Sequence, residues 1–239
     1  MTERDAVPPP DVLDPDSPVP PPAWAAWVSA VPDFGLSALF LITWIAPEST
    51  AAGVPRDLIL LVLMEFIIIH SSAFMGLAAY PDAGSRSQRV KSVLGLGVFY
   101  SLFVIAFSVM FHSVWPLVSF WGLMLNRLLG VLLGQAQKGR EADLLRISWA
   151  ANMACYLFAV LITTLVTIPR LGFNSSALRE RMHLPGTGLW IDEPWRVMAV
   201  GVLYYGLVGL SELSGHAWMR PWKTPKKRER ALAPRSRAR

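Results

Sequence analysis

Cysteine and charged side chains are scarce in this chain of 239 residues. The single cysteine, Cys155, excludes a disulfide framework and a metal cluster built from several thiolates of one chain. Only 16% of the residues are charged, whereas a soluble domain has about a quarter. Hydrophobic residues make up 53%, and the mean hydropathy is +0.41. These values exclude an ordinary soluble domain and a mainly disordered chain, and they predict a polytopic membrane protein.

Long apolar segments divide the chain into six predicted membrane spans, because about 20 apolar residues cross the hydrocarbon core as a helix. The sequence therefore predicts an all-α fold, a polytopic membrane helical bundle of about six transmembrane helices within residues 23–216. The predicted spans lie near residues 33–47, 58–80, 93–111, 114–134, 148–168 and 196–214.

The first of these spans is short. Pro32, Asp33 and Gly35 are expected to interrupt any helix that continues from Trp24. A first segment that enters and leaves on one side would reduce the bundle to five spans and place only the N-terminus outside.

The two ends of the chain differ in charge. Residues 1–22 hold eight prolines and five acids, which predicts a disordered, Pro-rich acidic tail. Residues 217–239 form a predicted basic tail with nine Lys and Arg. Because cytoplasmic segments carry an excess of Lys and Arg, this charge favours a bacterial inner-membrane protein with both termini in the cytoplasm. The basic tail is expected to contact anionic lipids, and no nucleic-acid partner is expected.

Ionisable side chains inside the spans are the strongest pointers to function, since they are costly in lipid. Glu65, His70 and Arg127, together with Ser72 and Asn126, form the predicted intramembrane polar site. Glu65 is the only acid deep inside a predicted span, and it is expected to pair with Arg127 if the second and fourth spans touch. Two interpretations stay open: a buried pair that fixes helix packing, and a hydrated site for a proton, an anion or a polar headgroup.

Signals for catalysis and cofactors are missing from the sequence. There is no G-x-S-x-G nucleophile elbow, no H-E-x-x-H helix and no P-loop, so no catalytic residue is assigned. The four histidines, His70, His112, His183 and His216, fall at different depths, which argues against a haem held by two of them. We expect no cofactor and no metal.

These features favour a non-enzymatic inner-membrane protein, either a small transporter-like unit or an accessory subunit of a larger membrane complex. One alternative is a membrane-embedded enzyme acting on a lipid or isoprenoid substrate, and another is a purely structural assembly subunit. The sequence is compatible with a homo-oligomer and with a hetero-oligomer. A cavity that reaches Glu65 and His70 would distinguish these classes, because a structural contact is expected to be dry and closed.

Overall fold

The computed structural model describes residues 23–79, 85–132, 140–174, 180 and 182–219. The predicted acidic tail, most of the predicted basic tail and parts of three connections lie outside these ranges. The described residues form helices and turns, with no β-strand among them. The helices in chain order are α1 (Ala23–Ile45), α2 (Val54–Ala79), α3 (Arg86–Met110), α4 (Trp115–Leu132), α5 (Arg140–Leu165), the short α6 (Leu189–Asp192) and α7 (Pro194–Leu213).

Five of these helices are long and apolar enough to cross a membrane. They contain the stretches Ala26–Ile45, Val54–Met75, Arg86–Met110, Arg146–Leu165 and Pro194–Leu213. The predicted all-α membrane bundle is therefore confirmed. Helix α4 corresponds to the remaining predicted span and has 18 described residues. Its crossing of the membrane stays a prediction.

Helix α1 starts ten residues earlier than the first predicted span, and it runs unbroken through Pro32 and Gly35. The expectation that these residues interrupt the helix is wrong. Proline removes one backbone hydrogen bond, but such residues are tolerated in membrane helices where neighbouring helices support the turn. Here α7 packs antiparallel along α1, and Ser37 Oγ of α1 donates a hydrogen bond to the carbonyl of Val202 at 2.9 Å.

The contact between α1 and α7 depends on small residues of α7. Gly201 lies directly against the ring of Phe40, and Gly209 leaves only 3.0 Å between the ring of Phe34 and an added Cβ. Small residues let helix backbones approach closely in membranes. These contacts place the start of α1 beside the end of α7, and we call that side of the bundle its terminal end.

Helix α5 is held by both α2 and α7. Trp149 Nε1 donates to the carbonyl of Ile69 at 2.8 Å, and Tyr156 Oη donates to that of Val62 at 3.1 Å. At the end opposite the terminal end, Arg196 forms an ion pair with Glu193 at the start of α7.

The same Arg196 caps the end of α5. Its Nη1 donates to the carbonyl of Thr163 at 2.6 Å and to that of Val166 at 3.0 Å. A cation suits this position, because the last carbonyls of a helix lack partners within the helix and carry partial negative charge. One side chain thus joins the end of α5 to the beginning of α7.

Candidate functional site

Glu65 lies near the middle of α2, at the point where α2 crosses α7. Its Oε1 accepts a hydrogen bond of 2.7 Å from Tyr204 Oη, and its Oε2 accepts a longer one of 3.5 Å from Tyr205 Oη. Consecutive residues on a helix point about 100° apart. Two adjacent tyrosines therefore reach the carboxyl from two directions. We call these three residues the carboxyl–phenol site.

Aromatic rings from three helices enclose this site. Tyr204 and Tyr205 are only 2% and 3% exposed. The ring of Tyr156 from α5 meets Tyr204 edge to face with centroids 5.5 Å apart. Phe40 from α1 stacks on Tyr205 at 5.6 Å. The packing of the rings therefore holds both hydroxyl groups against Glu65.

A second acid, Asp33, lies inside the bundle near the middle of α1. It is half-buried. The expectation that Glu65 is the only acid deep inside a span is wrong. The error follows from the boundary of α1, since a helix beginning at Ala23 carries Asp33 into the span.

The predicted polar site is not assembled in one place by the described residues. His70 Nδ1 lies 3.1 Å from the carbonyl of Phe66, and its ring contacts Phe66 with centroids 4.1 Å apart. His70 follows Glu65 by five residues, about 140° around the helix, so it faces a different side of α2. Asn126 is exposed on α4.

Ser72 lines a small pocket between α2 and α4 together with Ser71. The other lining residues are apolar: Ile68, Met75, Phe120, Leu123 and Met124. None of these lining residues is an acid or a base. Two hydroxyl groups in an apolar wall supply hydrogen bonds but no acid–base pair for catalysis.

The predicted contact between α2 and α4 is present, but the predicted ion pair is untested. Met124 of α4 and Met75 of α2 both line that pocket, and Arg127 follows less than one turn later on α4. The side chain of Arg127 lies outside the described residues, so its pairing with Glu65 stays a prediction.

The end of α7 carries a serine–histidine contact that the sequence did not reveal. Ser211 Oγ lies 2.8 Å from His216 Nδ1, and Trp218 Nε1 donates to the same oxygen at 2.7 Å. Gly215, with φ of 57°, turns the chain back at the helix end, as expected of a helix stop. The spacing of five residues across this glycine is the signal that would have identified the pair.

Fold and site together define a multi-pass α-helical membrane protein with a buried carboxyl–phenol site between its helices. The described residues contain no group of three or more His, Cys, Asp and Glu placed to hold a metal ion. No protein-family model, curated protein or solved structure matches the chain. Function must therefore be argued from the site itself.

Proposed function

We propose that this chain is a non-enzymatic inner-membrane protein, a small transporter-like unit or accessory subunit, in which Glu65 binds and releases a proton. The observation that carries the proposal is the carboxyl–phenol site itself, a carboxyl group near the middle of a span with two buried phenols directed at its oxygens. An ionisable group inside the membrane is by default a functional candidate.

The surroundings of Glu65 suit proton exchange better than permanent charge. A carboxylate in a low-dielectric interior is costly, because burial removes the water that stabilises its charge. The hydrogen bonds from Tyr204 and Tyr205 partly offset it, since bonds to charged groups are the stronger ones. The two protonation states of Glu65 therefore lie closer in free energy than in an apolar site without donors.

An enzymatic function has less support. The pocket between α2 and α4 has neither an acid nor a base among its lining residues. A purely structural role is the second candidate, because the phenols that bind Glu65 are almost completely enclosed. The proton-binding role and the structural role are both compatible with the proposed topology, in which the termini are cytoplasmic and the basic tail contacts anionic lipids.

Infrared difference spectroscopy on the protein in lipid vesicles tests the proposal. A protonated carboxyl group has a C=O stretching band that disappears when the proton leaves and shifts when deuterium replaces hydrogen. We expect a band that changes reversibly with pH in the parent and is absent in Glu65→Gln. Glu48→Gln, the same change at an exposed acid, is the matched control and should keep the band.

A parent protein whose Glu65 band neither responds to pH nor exchanges deuterium would overturn proton binding. The structural role would then be the better account of the site. Glu65→Gln protein should keep its helix content, which circular dichroism measures.

A further inference from the structure

Helix α5 lies antiparallel to α2, and two hydrogen bonds fix how the two helices face each other. Trp149 of α5 donates to the carbonyl of Ile69 at 2.8 Å, and Tyr156 donates to that of Val62 at 3.1 Å. Seven residues separate the two donors on α5, and seven separate the two acceptors on α2. The bonds therefore mark two levels of the interface, nearly two helical turns apart, and Glu65 lies between them.

Asn152 has the position on α5 that Glu65 has on α2. It follows the first donor in the chain by three residues and precedes the second by four, and Glu65 has the same spacing from the two acceptors. Because the helices are antiparallel, equal spacing puts both residues on the same side of the interface, about 1.5 Å apart along its length. Helix α7 covers that side, since its Tyr204 binds Glu65. Asn152 and Glu65 thus both face the junction of α2, α5 and α7.

The carboxamide of Asn152 has an unused acceptor in this junction. Its Oδ1 is buried and has no hydrogen-bond partner among the described residues. A buried acceptor without a donor is costly, so it calls for an explanation. The flanking donors on its own helix, Trp149 and Tyr156, are already bound to carbonyls of α2. A donor that exists in only one protonation state of the neighbouring site would satisfy this oxygen.

The other ionisable groups near Glu65 are accounted for among the described residues. Three phenols face the junction, and each hydroxyl group donates to an oxygen of α2: Tyr204, Tyr205 and Tyr156. His70 faces a different side of α2, with its Nδ1 beside the carbonyl of Phe66. Asp33 and Glu212 each lie seven residues, nearly two turns, from the stacked rings of α1 and α7. A protonated Glu65 is therefore the donor that the register offers to Asn152.

We infer that Asn152 is a positioning residue for proton binding, because its Oδ1 accepts a hydrogen bond from the protonated carboxyl group of Glu65. This inference rests on the proposed proton binding at Glu65. The proton adds to Oε2, which has the longer bond of 3.5 Å from Tyr205, while Oε1 keeps its bond of 2.7 Å from Tyr204. The new hydroxyl group donates to Asn152. When the proton leaves, Oε2 becomes an acceptor only, and the contact with Oδ1 is lost.

Infrared difference spectra of the protein in lipid vesicles test the contact from the side of Glu65. The Glu65 band is the part of the parent spectrum that is absent in Glu65→Gln. A carboxyl group that loses a hydrogen bond absorbs at higher wavenumber, so Asn152→Leu should move this band upward. The matched control is Asn126→Leu, the same change at an exposed asparagine of α4, and it should leave the band in place.

A second measurement tests the contact from the side of Asn152, in protein whose asparagine side-chain carbonyls carry carbon-13. The chain has three asparagines, and comparison with Asn152→Leu identifies the band of Asn152. This band should shift with pH in step with the Glu65 band, and it should stay fixed in Glu65→Gln. If Asn152→Leu does not fold, the labelled parent and labelled Glu65→Gln still decide, because a pH-dependent asparagine band that Glu65→Gln abolishes is the expected result.

The outcomes separate this contact from the proton binding on which it rests. A Glu65 band that keeps its wavenumber in folded Asn152→Leu would overturn the contact and leave proton binding at Glu65 intact. Asparagine bands that ignore pH while the Glu65 band responds would do the same. A parent Glu65 band that never responds to pH would instead reject proton binding itself.

Discussion

Tyr204→Phe should weaken the bundle more than Tyr205→Phe, although the two residues are adjacent and equally buried. Tyr204 donates to Glu65 at 2.7 Å, whereas Tyr205 does so at 3.5 Å, near the limit of a hydrogen bond. Phenylalanine keeps the ring contacts in both cases, so only the hydroxyl group is lost. A hydrogen bond to a charged group contributes about 1.5–3 kcal/mol, and interhelical bonds in membranes reach at most about 1.7 kcal/mol.

These two ranges overlap near 1.5 kcal/mol, which is the expected loss in the free energy of unfolding for Tyr204→Phe. For Tyr205→Phe the expected loss is below the membrane average of about 0.6 kcal/mol. Reversible unfolding in mixed micelles, followed by tryptophan fluorescence, measures both. Equal losses for the two variants would refute the assignment of Tyr204 as the main partner of Glu65.

A double-mutant cycle isolates the contact from other effects. In a Glu65→Leu background, Tyr204→Phe should cost little, because the acceptor has already been removed. The same cycle with Arg127→Leu tests the predicted ion pair. If Arg127 pairs with Glu65, the double change should recover part of the loss caused by either single change. Simply additive losses would show that Arg127 has another partner.

Two further predictions concern topology and packing. A cysteine at Ser87, introduced into a variant without Cys155, should be shielded from an impermeant thiol reagent in intact cells, whereas one at Ser176 should react; labelling at Ser87 alone would invert the proposed orientation. Gly201→Ala should destabilise the bundle by about 1–3 kcal/mol in the same unfolding assay, because the added methyl group overlaps Phe40. Gly95→Ala, where nothing lies within 4 Å of the new Cβ, should be close to neutral.

Hydropathy was sufficient to identify the membrane class and the middle of each long helix. It was insufficient at the first helix, where Pro32 and Gly35 have unfavourable local propensities. Propensity describes an isolated helix, whereas α1 is supported along its length by α7. Such support depends on residues more than 150 positions away, as in the bond from Ser37 to Val202. A rule based on local sequence has no access to that contact.

The site was anticipated only in part for the same reason. Glu65 was identified because a buried acid is rare, and Tyr204 and Tyr205 can be placed near mid-membrane by counting residues. Their contact requires the rotation of α2 relative to α7, which the sequence pattern does not specify. Asp33 was missed because its depth depends on where α1 begins. The rarity of acids in apolar spans identified Glu65, whereas the packing of α2 against α7 determines which residues contact it.

The cap formed by Arg196 has a consequence for the chain between α5 and α7. Since Arg196 binds Glu193 and the last carbonyls of α5, the two helix ends are joined through space as well as through the backbone. The connecting segment is therefore not the only link that holds the end of α5 against the start of α7. A protease cut within this segment should therefore leave the two helix ends joined by the bonds of Arg196.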